Sequence, residues 1–275
     1  MSVPWIVVGS GYTGSRLARA LVAEGPGVNA VTVTRRDRAA LAALATELPV
    51  RTVTADLADP RTLEGLVPAG AIVVCLAPPG ADPAAEVRAL VAAAAGARRI
   101  VYVGSTGVYP AGGGAWVDES WPLEPITPSG KARVIAEAAL AEARVPWVAL
   151  RVAGIHGPGR GLVDRVKAGT YRIIGDGTSH VSRIHVDDLV QAIIAAGRAD
   201  VTGAINLADD DPAPIGEVAD TLAARLGVAP PPRVPALTVS PEIAGMLTAD
   251  RRIANGRMKR ELGVVLRYPS WRDAV

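Results

Sequence analysis

The strongest constraint on the fold is an alternation of short apolar runs with alanine-rich stretches of helical periodicity. The apolar runs, predicted as strands, cover residues 5–10, 28–34, 50–57, 71–77, 98–105 and 145–152. Apolar residues at three- and four-residue spacing predict helices between them, among others at 37–48, 82–97 and 129–143. Strands that are apolar on both faces must be covered on both sides. This order therefore predicts an α/β fold with a doubly wound parallel sheet of the Rossmann type.

The regular alternation ends near residue 152, and glycine and proline become more frequent after it. We therefore expect a dinucleotide-binding domain over residues 1–152. A smaller, irregular substrate-binding lobe should follow over residues 153–275, interwoven with the first domain in one structural unit. Helices are predicted in this lobe near 186–198 and 215–226.

Charge and cysteine content exclude several classes of function. The chain has 29 basic and 27 acidic residues, and its basic residues are spread out, which argues against nucleic-acid and membrane partners. Cys75 is the only cysteine, so an internal disulfide is excluded and a reducing, cytoplasmic location is expected. No apolar run reaches the ~18 residues that a transmembrane helix needs. None of the three histidines has a carboxylate or thiol at ligand spacing, so no metal site is expected.

The first motif is GSGYTG, which closes the first predicted strand and opens a helix. Gly9 permits a tight turn, Gly11 lets the backbone approach a pyrophosphate, and Gly14 lets the helix pack closely on the strand. The helix N-terminus adds N–H groups and the positive end of a dipole. The candidate cofactor contacts in this turn are Gly9, Ser10, Gly11, Tyr12, Thr13 and Gly14.

The end of the second strand reads VTVTRRD and bears on the choice of cofactor. An acidic residue here would bind the ribose hydroxyl of NAD, but Thr34 occupies that place and Arg35 and Arg36 follow it. Two guanidinium groups suit a 2′-phosphate. The sequence therefore favours NADP over NAD, unless Asp37 is the ribose acid in a shifted register.

Three further strand ends carry candidate residues, because ligands bind outside the carboxyl ends of parallel strands. At the third strand, the carboxylate of Asp56, followed by Leu57, can meet the adenine amino group. The fourth strand ends in Leu76, Ala77 and Pro78, whose backbone would line the cofactor cleft. Ser105 ends the fifth strand and is placed to face the nicotinamide pocket.

Eight sequence blocks in order make the chain resemble the extended, sugar-nucleotide-epimerase-like branch of the short-chain dehydrogenase/reductase superfamily, nearly end to end. The blocks are GSGYTGSRLA, Asp56-Leu57, GSTGVYP, VDESWPLEP, LRVAGIHGPGR, RIHVDDL, INLADD and RRIANGRMKRELG. The resemblance implies that Ser105 orients the substrate oxygen and that Lys131 binds the nicotinamide ribose. The family's proton-donating tyrosine belongs four residues before this lysine, where the chain has Thr127.

Thr127 is not a substitute for a phenol, because its hydroxyl cannot be tuned into a useful general acid. Followed by Pro128, it is instead typical of a helix N-cap. Tyr109, on the same rim as Ser105, and His156 are further candidates for proton transfer, although each also suits packing or loop anchoring.

Other polar residues in the second lobe have structural interpretations. Asp118 and Glu119, on a glycine-rich loop, suit a cap or a salt bridge. His185 matches a structural residue of the family, and Asp187 and Asp188 after it are expected to cap the next helix.

The substrate is less constrained than the cofactor. Enzymes of the family that act on sugar nucleotides carry an arginine for the diphosphate where this chain has Val181. Together with the short second lobe, this departure argues against a sugar nucleotide. Four arginines in this half still leave room for an anionic ligand: Arg160, Arg183, Arg251 and Arg252.

We therefore expect an atypical NADP-dependent oxidoreductase or epimerase-like enzyme that acts on a small carbonyl or hydroxyl substrate with a non-standard proton donor. The alternatives are a catalytically degenerate NADP(H)-binding sensor or scaffold, and an enzyme that uses the pocket for non-redox chemistry. The presence of both Ser105 and Lys131 favours an enzyme. The expected partner is a small molecule, and a homodimer is a possible assembly.

Overall fold

The computed structural model describes residues 2–25 and 27–274. The strands are β1 (Val3–Val8), β2 (Asn29–Arg35), β3 (Arg51–Thr54), β4 (Ile72–Cys75), β5 (Arg99–Val103), β6 (Trp116–Val117), β7 (Trp147–Val152), β8 (Gly154–His156), β9 (Ile173–Ile174), β10 (His180–Val181), β11 (Arg183–His185), β12 (Gly203–Leu207), β13 (Ala213–Pro214), β14 (Arg233–Val234) and β15 (Arg252–Ile253). The α-helices are α1 (Tyr12–Ala23), α2 (Arg38–Glu47), α3 (Pro83–Ala93), α4 (Pro128–Ala141), α5 (Leu162–Lys167), α6 (Val186–Arg198), α7 (Ile215–Leu226), α8 (Pro241–Leu247) and α9 (Gly256–Leu262).

The central feature is a seven-stranded parallel sheet in the order β12-β7-β5-β4-β1-β2-β3. β1 pairs with both β2 and β4, so the strand order reverses next to β1. This is the order of a doubly wound dinucleotide-binding sheet with one strand added beyond β7. The predicted fold class is confirmed.

The described chain divides into two compact units that do not follow one boundary in the sequence. The first unit comprises residues 1–104, 132–150 and 190–205, and the second comprises residues 105–131, 151–189 and 206–275. The predicted division at residue 152 differs from these units, because the chain passes from one unit to the other several times. β12, which joins the sheet beside β7, comes from the segment around 203–207.

In the first unit, α6 packs closely against the central sheet. Trp5 of β1 is fully buried and donates its indole N–H to Asn29 Oδ1 at 3.0 Å. α6 approaches it closely, since a Cβ added at Gly197 would lie 2.4 Å from the Trp5 ring. Arg99 of β5, only 3% exposed, donates to the carbonyl of Ala196 at 3.0 Å and so caps the end of α6.

The second unit is built from short elements around its own apolar cluster. Two-stranded parallel pairs join β8 to β11, β9 to β14, and β6 to β15. α5 and α7 pack over a core that includes Val166, Ile173, Val218 and Trp271. Within the described residues, no helix is both long and apolar enough to span a membrane.

Candidate dinucleotide and substrate sites

The glycine-rich turn of the first unit has the geometry that the sequence predicted. Gly9 has a φ of +99°, and a Cβ there would lie 2.9 Å from the backbone nitrogen of Ala77. A Cβ at Gly14 would lie 2.2 Å from the carbonyl oxygen of Gly9. By contrast, a Cβ at Gly11 would meet no atom within 4 Å. Gly9 thus serves a left-handed turn, and Gly14 lets the helix approach closely. Gly11 leaves an open backbone face.

The turn is held against the end of β2. The amides of Gly9 and Ser10 both donate to the carbonyl oxygen of Thr34, at 3.1 and 2.9 Å. Gly11 stands at the N-cap of α1 without a capping side chain, and the first turn of this helix has no acidic residue. The start of α1 is therefore suited to a bound anion.

The arginine pair at the end of β2 lies at the surface beside this turn. Arg35 donates to the carbonyl of Ser10 at 3.4 Å, and Arg36 lies 4.0 Å from the carboxylate of Asp56. The latter contact is exposed and contributes at most about 1 kcal/mol. Asp37 is committed elsewhere, because its carboxylate accepts the amides of Ala39 and Ala40 as the N-cap of α2. Asp37 therefore has a structural role that accounts for it.

The segment after β4 is fixed by backbone and side-chain contacts. Leu76 continues the sheet pairing, since its amide donates to the carbonyl of Val8 at 2.8 Å. Further on, Glu86, only 6% exposed, accepts the amide of Gly80 at 2.7 Å. This ties the Leu76–Gly80 segment to α3. Ala77 and Pro78 consequently follow the strand end as a defined backbone edge.

In the second unit, the loop that carries Ser105 touches the start of α4. Ser105 accepts the amide of Gly107 at 3.0 Å and begins a short 3-10 turn. A Cβ at Gly130 would lie 2.3 Å from the carbonyl oxygen of Gly107. The glycine in the TPSGK segment thus lets α4 reach the Ser105 loop. Sequence reasoning did not assign Gly130 a role, although a glycine in the first turn of a helix is itself a signal of close approach.

Thr127 has the geometry of a helix cap. α4 begins at Pro128, and the Thr127 hydroxyl accepts the amide of Gly130 at 3.1 Å. The residue is 3% exposed. A Cβ at Gly245 of α8 would lie 2.8 Å from the Thr127 methyl group, so α8 packs directly on this position. Its hydroxyl therefore serves the helix end.

A side-chain pairing that no sequence motif predicted lies next to this cap. The Ser129 hydroxyl donates to Glu242 Oε1, and the Ser129 amide donates to Glu242 Oε2 at 3.3 Å. The two residues are 113 positions apart. Glu242 belongs to the first turn of α8, so this contact and Gly245 together fix α8 over the start of α4.

Lys131 lies one turn into α4, and its amide donates to the carbonyl of Thr127 at 3.0 Å. The side chain is exposed. In the part of the chain that the structure describes, its ammonium group forms no ion pair. The role that the resemblance implies for Lys131 stays a prediction.

Tyr109 is buried and fully engaged. Its phenol donates to Asn206 Oδ1 at 2.7 Å and accepts from Arg151 Nη1 at 2.9 Å, and the side chain is fully buried. Burial raises the pKa of Tyr109, and Arg151 opposes that shift. Asn206 is in turn held by Glu119, which accepts its amide at 2.8 Å. These contacts favour packing over proton transfer for Tyr109.

His156 belongs to a different cluster of the second unit. It lies at the end of β8, 5.3 Å from the His185 ring between centroids, and burial lowers its pKa to about 4. A histidine with this pKa is neutral at pH 7, and a role of His156 in proton transfer stays a prediction. His185 stacks on Tyr268 at 3.7 Å between ring centroids.

The expected caps of α6 need correction. His185, not an aspartate, caps the helix, because its Nδ1 accepts the amide of Asp187 at 3.2 Å. Asp188 is fully buried and accepts the amides of Arg267 and Tyr268 at 2.8 and 2.9 Å. It therefore anchors the C-terminal segment. This role depends on a contact across about 80 residues, which sequence spacing does not reveal.

The remaining candidates in the second unit are also held by neighbours. Asp118 accepts the amide and hydroxyl of Ser120, which lowers its pKa. Arg251 donates to the carbonyls of Thr106 and Tyr109 at 2.9 and 2.7 Å. These contacts are structural.

The fold and the glycine turn together define a Rossmann-type dinucleotide-binding protein, and comparisons with known proteins agree. A family model described as NAD(P)H-binding matches residues 9–197. A 3-diazoavenalumate denitrifying reductase from Streptomyces sp is 34% identical over 201 residues, which cover 67% of this chain. The matched stretch spans 66% of that relative, just under two thirds of its length.

Solved structures extend the similarity over nearly the whole chain. A conserved protein of unknown function from Silicibacter pomeroyi is 31% identical with a TM-score of 0.84, over 99% of this chain and 96% of that one. A human epimerase family protein, solved with NADPH, has a TM-score of 0.80 at 20% identity, over 99% and 97% of the two chains. At that identity the second likeness concerns the fold alone.

The chain belongs to the NAD(P)H-binding family, and solved epimerase and dehydratase structures share its fold. The resemblance inferred from the eight sequence blocks is therefore confirmed.

Proposed function

We propose that the protein is an NADPH-dependent reductase of a small organic substrate. The observation that carries this proposal is the Gly9–Gly14 turn, with an open backbone face at Gly11 and two exposed arginines beside it. This turn fits a dinucleotide pyrophosphate, because no protein atom fills the space that a Gly11 side chain would occupy. NADPH, when bound, supplies a hydride.

Preference for NADP over NAD is supported by Arg35 and Arg36. Both are exposed, and Arg35 touches the carbonyl of Ser10 in the phosphate turn. The competing ribose acid, Asp37, caps α2 through two backbone amides. A guanidinium pair without a free carboxylate at the same point favours a 2′-phosphate.

Ser105 and Lys131 are the residues of the second unit that we assign to substrate and cofactor. We assign Ser105 to orienting the reacting group of the substrate, as its hydroxyl can still donate while accepting from Gly107. We assign Lys131 to the nicotinamide ribose, which needs only a hydrogen-bonding ammonium. The cytoplasmic location and a homodimeric assembly are further parts of the proposal.

The absence of a tyrosine at position 127 favours one substrate class in particular. Reduction of a carbonyl needs a proton for the oxygen as well as a hydride, and the Thr127 hydroxyl is committed to the helix end. An aryl diazonium group that accepts a hydride at carbon releases N₂ and needs no proton. The denitrifying reductase at 34% identity carries this class in its name. We therefore propose an aryl diazo compound as a second candidate substrate beside small carbonyls.

The test measures the loss of NADPH absorbance with two substrate panels, small carbonyl compounds and aryl diazonium carboxylates. We expect turnover with at least one panel, and Lys131→Met should weaken NADPH binding at least tenfold. Lys167→Met, at another exposed lysine, is the matched control and should change neither quantity. No turnover in either panel by a folded protein that binds NADPH tightly would contradict the reductase and favour a cofactor-binding sensor.

A further inference from the structure

A cavity of about 370 Å³ is lined entirely by residues of the second unit. Its walls come from the loop at 156–160, the start of α5, one face of α7 and the C-terminal segment around Tyr268 and Trp271. None of the residues assigned to NADPH above lines it. The cavity therefore needs its own explanation.

One wall of the cavity is apolar. Leu162 and Val163 of α5 face it from one side, and Val218 and Leu222 of α7 face it from another. Val218 and Leu222 are 1% and 2% exposed, so this wall belongs to the core of the unit. Such a surface suits the hydrocarbon body of a ligand.

A buried cation stands in the same cavity. Arg183 lines it and is only 8% exposed, and one of its nitrogens donates to the carbonyl of Val181 at 3.0 Å. A guanidinium carries five N–H donors, so most of its hydrogen-bonding capacity is left for other groups. Among the residues that the structure describes, Arg183 forms no ion pair within 4.0 Å.

Burial lowers the pKa of Arg183, and Asp209 is the acid that most opposes this shift. Asp209 is 1% exposed, and burial raises the pKa of its carboxyl to about 7. Asp209 is thus partly protonated near neutral pH. The two acids of the described cavity lining, Asp164 and Asp273, are exposed, and Asp273 accepts the amide of Ser270.

Two more polar groups of the lining have no hydrogen-bond partner among the described residues. They are His156 Nε2 and Trp271 Nε1, both of them buried. Buried polar atoms in proteins are nearly always paired, because an unpaired one costs free energy. A ligand that brings hydrogen-bonding atoms into this cavity would satisfy such groups.

We propose that this cavity binds a small organic carboxylate, with the carboxylate on Arg183 and the apolar body against α5 and α7. A planar guanidinium matches a carboxylate in a two-bond geometry. A carboxylate fits better than a phosphate, because Arg183 is the only buried arginine or lysine among the described lining residues and α5 and α7 contribute hydrocarbon side chains. Binding here does not depend on whether the chain turns over NADPH.

The experiment measures binding to the full chain by isothermal titration calorimetry, with benzoate and 4-methylpentanoate as probes. Benzamide is the neutral match for benzoate, and inorganic phosphate is the anion without an apolar body. We expect both carboxylates to bind at least tenfold more tightly than benzamide and phosphate. NADPH affinity, measured in a separate titration, should be the same in the wild type and in the variants described next.

Two variants locate the site. Arg183→Met combined with Asp209→Asn removes the cation together with its buried acid, so no unpaired charge is left, and should weaken benzoate binding at least tenfold. Val163→Phe, at a half-buried position on α5, narrows the cavity and should weaken both carboxylates while keeping a native circular dichroism spectrum. Arg172→Met, at an exposed arginine outside the lining, is the matched control and should bind like the wild type.

Several results would overturn the proposal. One is wild-type protein that binds neither carboxylate, and another is equal binding of benzoate and benzamide. Unchanged benzoate affinity in Val163→Phe would place the carboxylate elsewhere, even if the double variant failed to fold. Tight phosphate binding would refute the need for an apolar body.

Discussion

Two alanine substitutions in the glycine turn, three residues apart at Gly11 and Gly14, separate its structural role from its ligand-binding role. At Gly14, the added methyl group would lie 2.2 Å from the Gly9 carbonyl oxygen, where ordinary contact is 3.4–4 Å. The atom in the way is backbone, so α1 or the turn must shift by more than an ångström. Overpacking of this kind destabilises by about 3 kcal/mol at the upper end of its usual range. Alanine returns about 1 kcal/mol of helix propensity, which leaves a net loss of about 2 kcal/mol.

At Gly11 the same change has the opposite profile. A methyl group there meets no atom within 4 Å, and its φ of −79° is open to alanine. Replacing the cap residue by alanine costs at most about 1 kcal/mol. The methyl group would occupy the face by which the backbone approaches a pyrophosphate. Losing one charge-assisted hydrogen bond costs about 1.5–3 kcal/mol, which corresponds to a loss of roughly tenfold to more than hundredfold in NADPH affinity.

The assay pairs urea unfolding, followed by circular dichroism, with calorimetric titration of NADPH. We expect Gly14→Ala to lower the free energy of unfolding by about 2 kcal/mol. Gly11→Ala should remain stable and lose affinity at least tenfold. NADPH binding by Gly11→Ala within about twofold of the wild type would refute the pyrophosphate assignment. Full stability of Gly14→Ala would refute the packing argument.

Three further predictions concern other parts of the molecule. Arg35→Ala with Arg36→Ala should remove most of an expected preference for NADPH over NADH of at least tenfold, or about 1.4 kcal/mol, and equal wild-type affinities by calorimetry would contradict the NADP assignment. Thr127→Ser should be nearly silent and Thr127→Ala should lower the free energy of unfolding by about 1 kcal/mol, while a large loss of turnover at unchanged stability and NADPH affinity would show that the hydroxyl is catalytic. The pKa of Asp209 is raised from 3.8 to about 7 by burial, so its contribution to stability is fully present below pH 3.8 and is lost as pH rises towards 7. Asp209→Asn should therefore gain stability relative to the wild type between those pH values, by up to about 1.4 kcal/mol per pH unit in urea unfolding, and a pH-independent difference would contradict the raised pKa.

The sequence alone determined the fold class and the family, because both rest on local periodicity and on motifs whose residues are neighbours in the chain. Continuous apolar runs fix strands covered on both faces, and the spacing of Gly9, Gly11 and Gly14 fixes a turn that few other residues can form. The N-cap role of Thr127 was equally local, since threonine followed by proline has few other uses at a helix start. These predictions needed no knowledge of distant contacts.

Only the tertiary structure decided which residues the distant segments bring together. α8 packs on Thr127 through Gly245 and on Ser129 through Glu242, more than 110 positions away in sequence. Asp188 looked like a helix cap but holds the amides of residues 267 and 268. Arg183 was one of several arginines in the sequence, and only packing made it the buried cation of a cavity. Burial and long-range pairing depend on how elements pack, and local sequence patterns do not encode that packing.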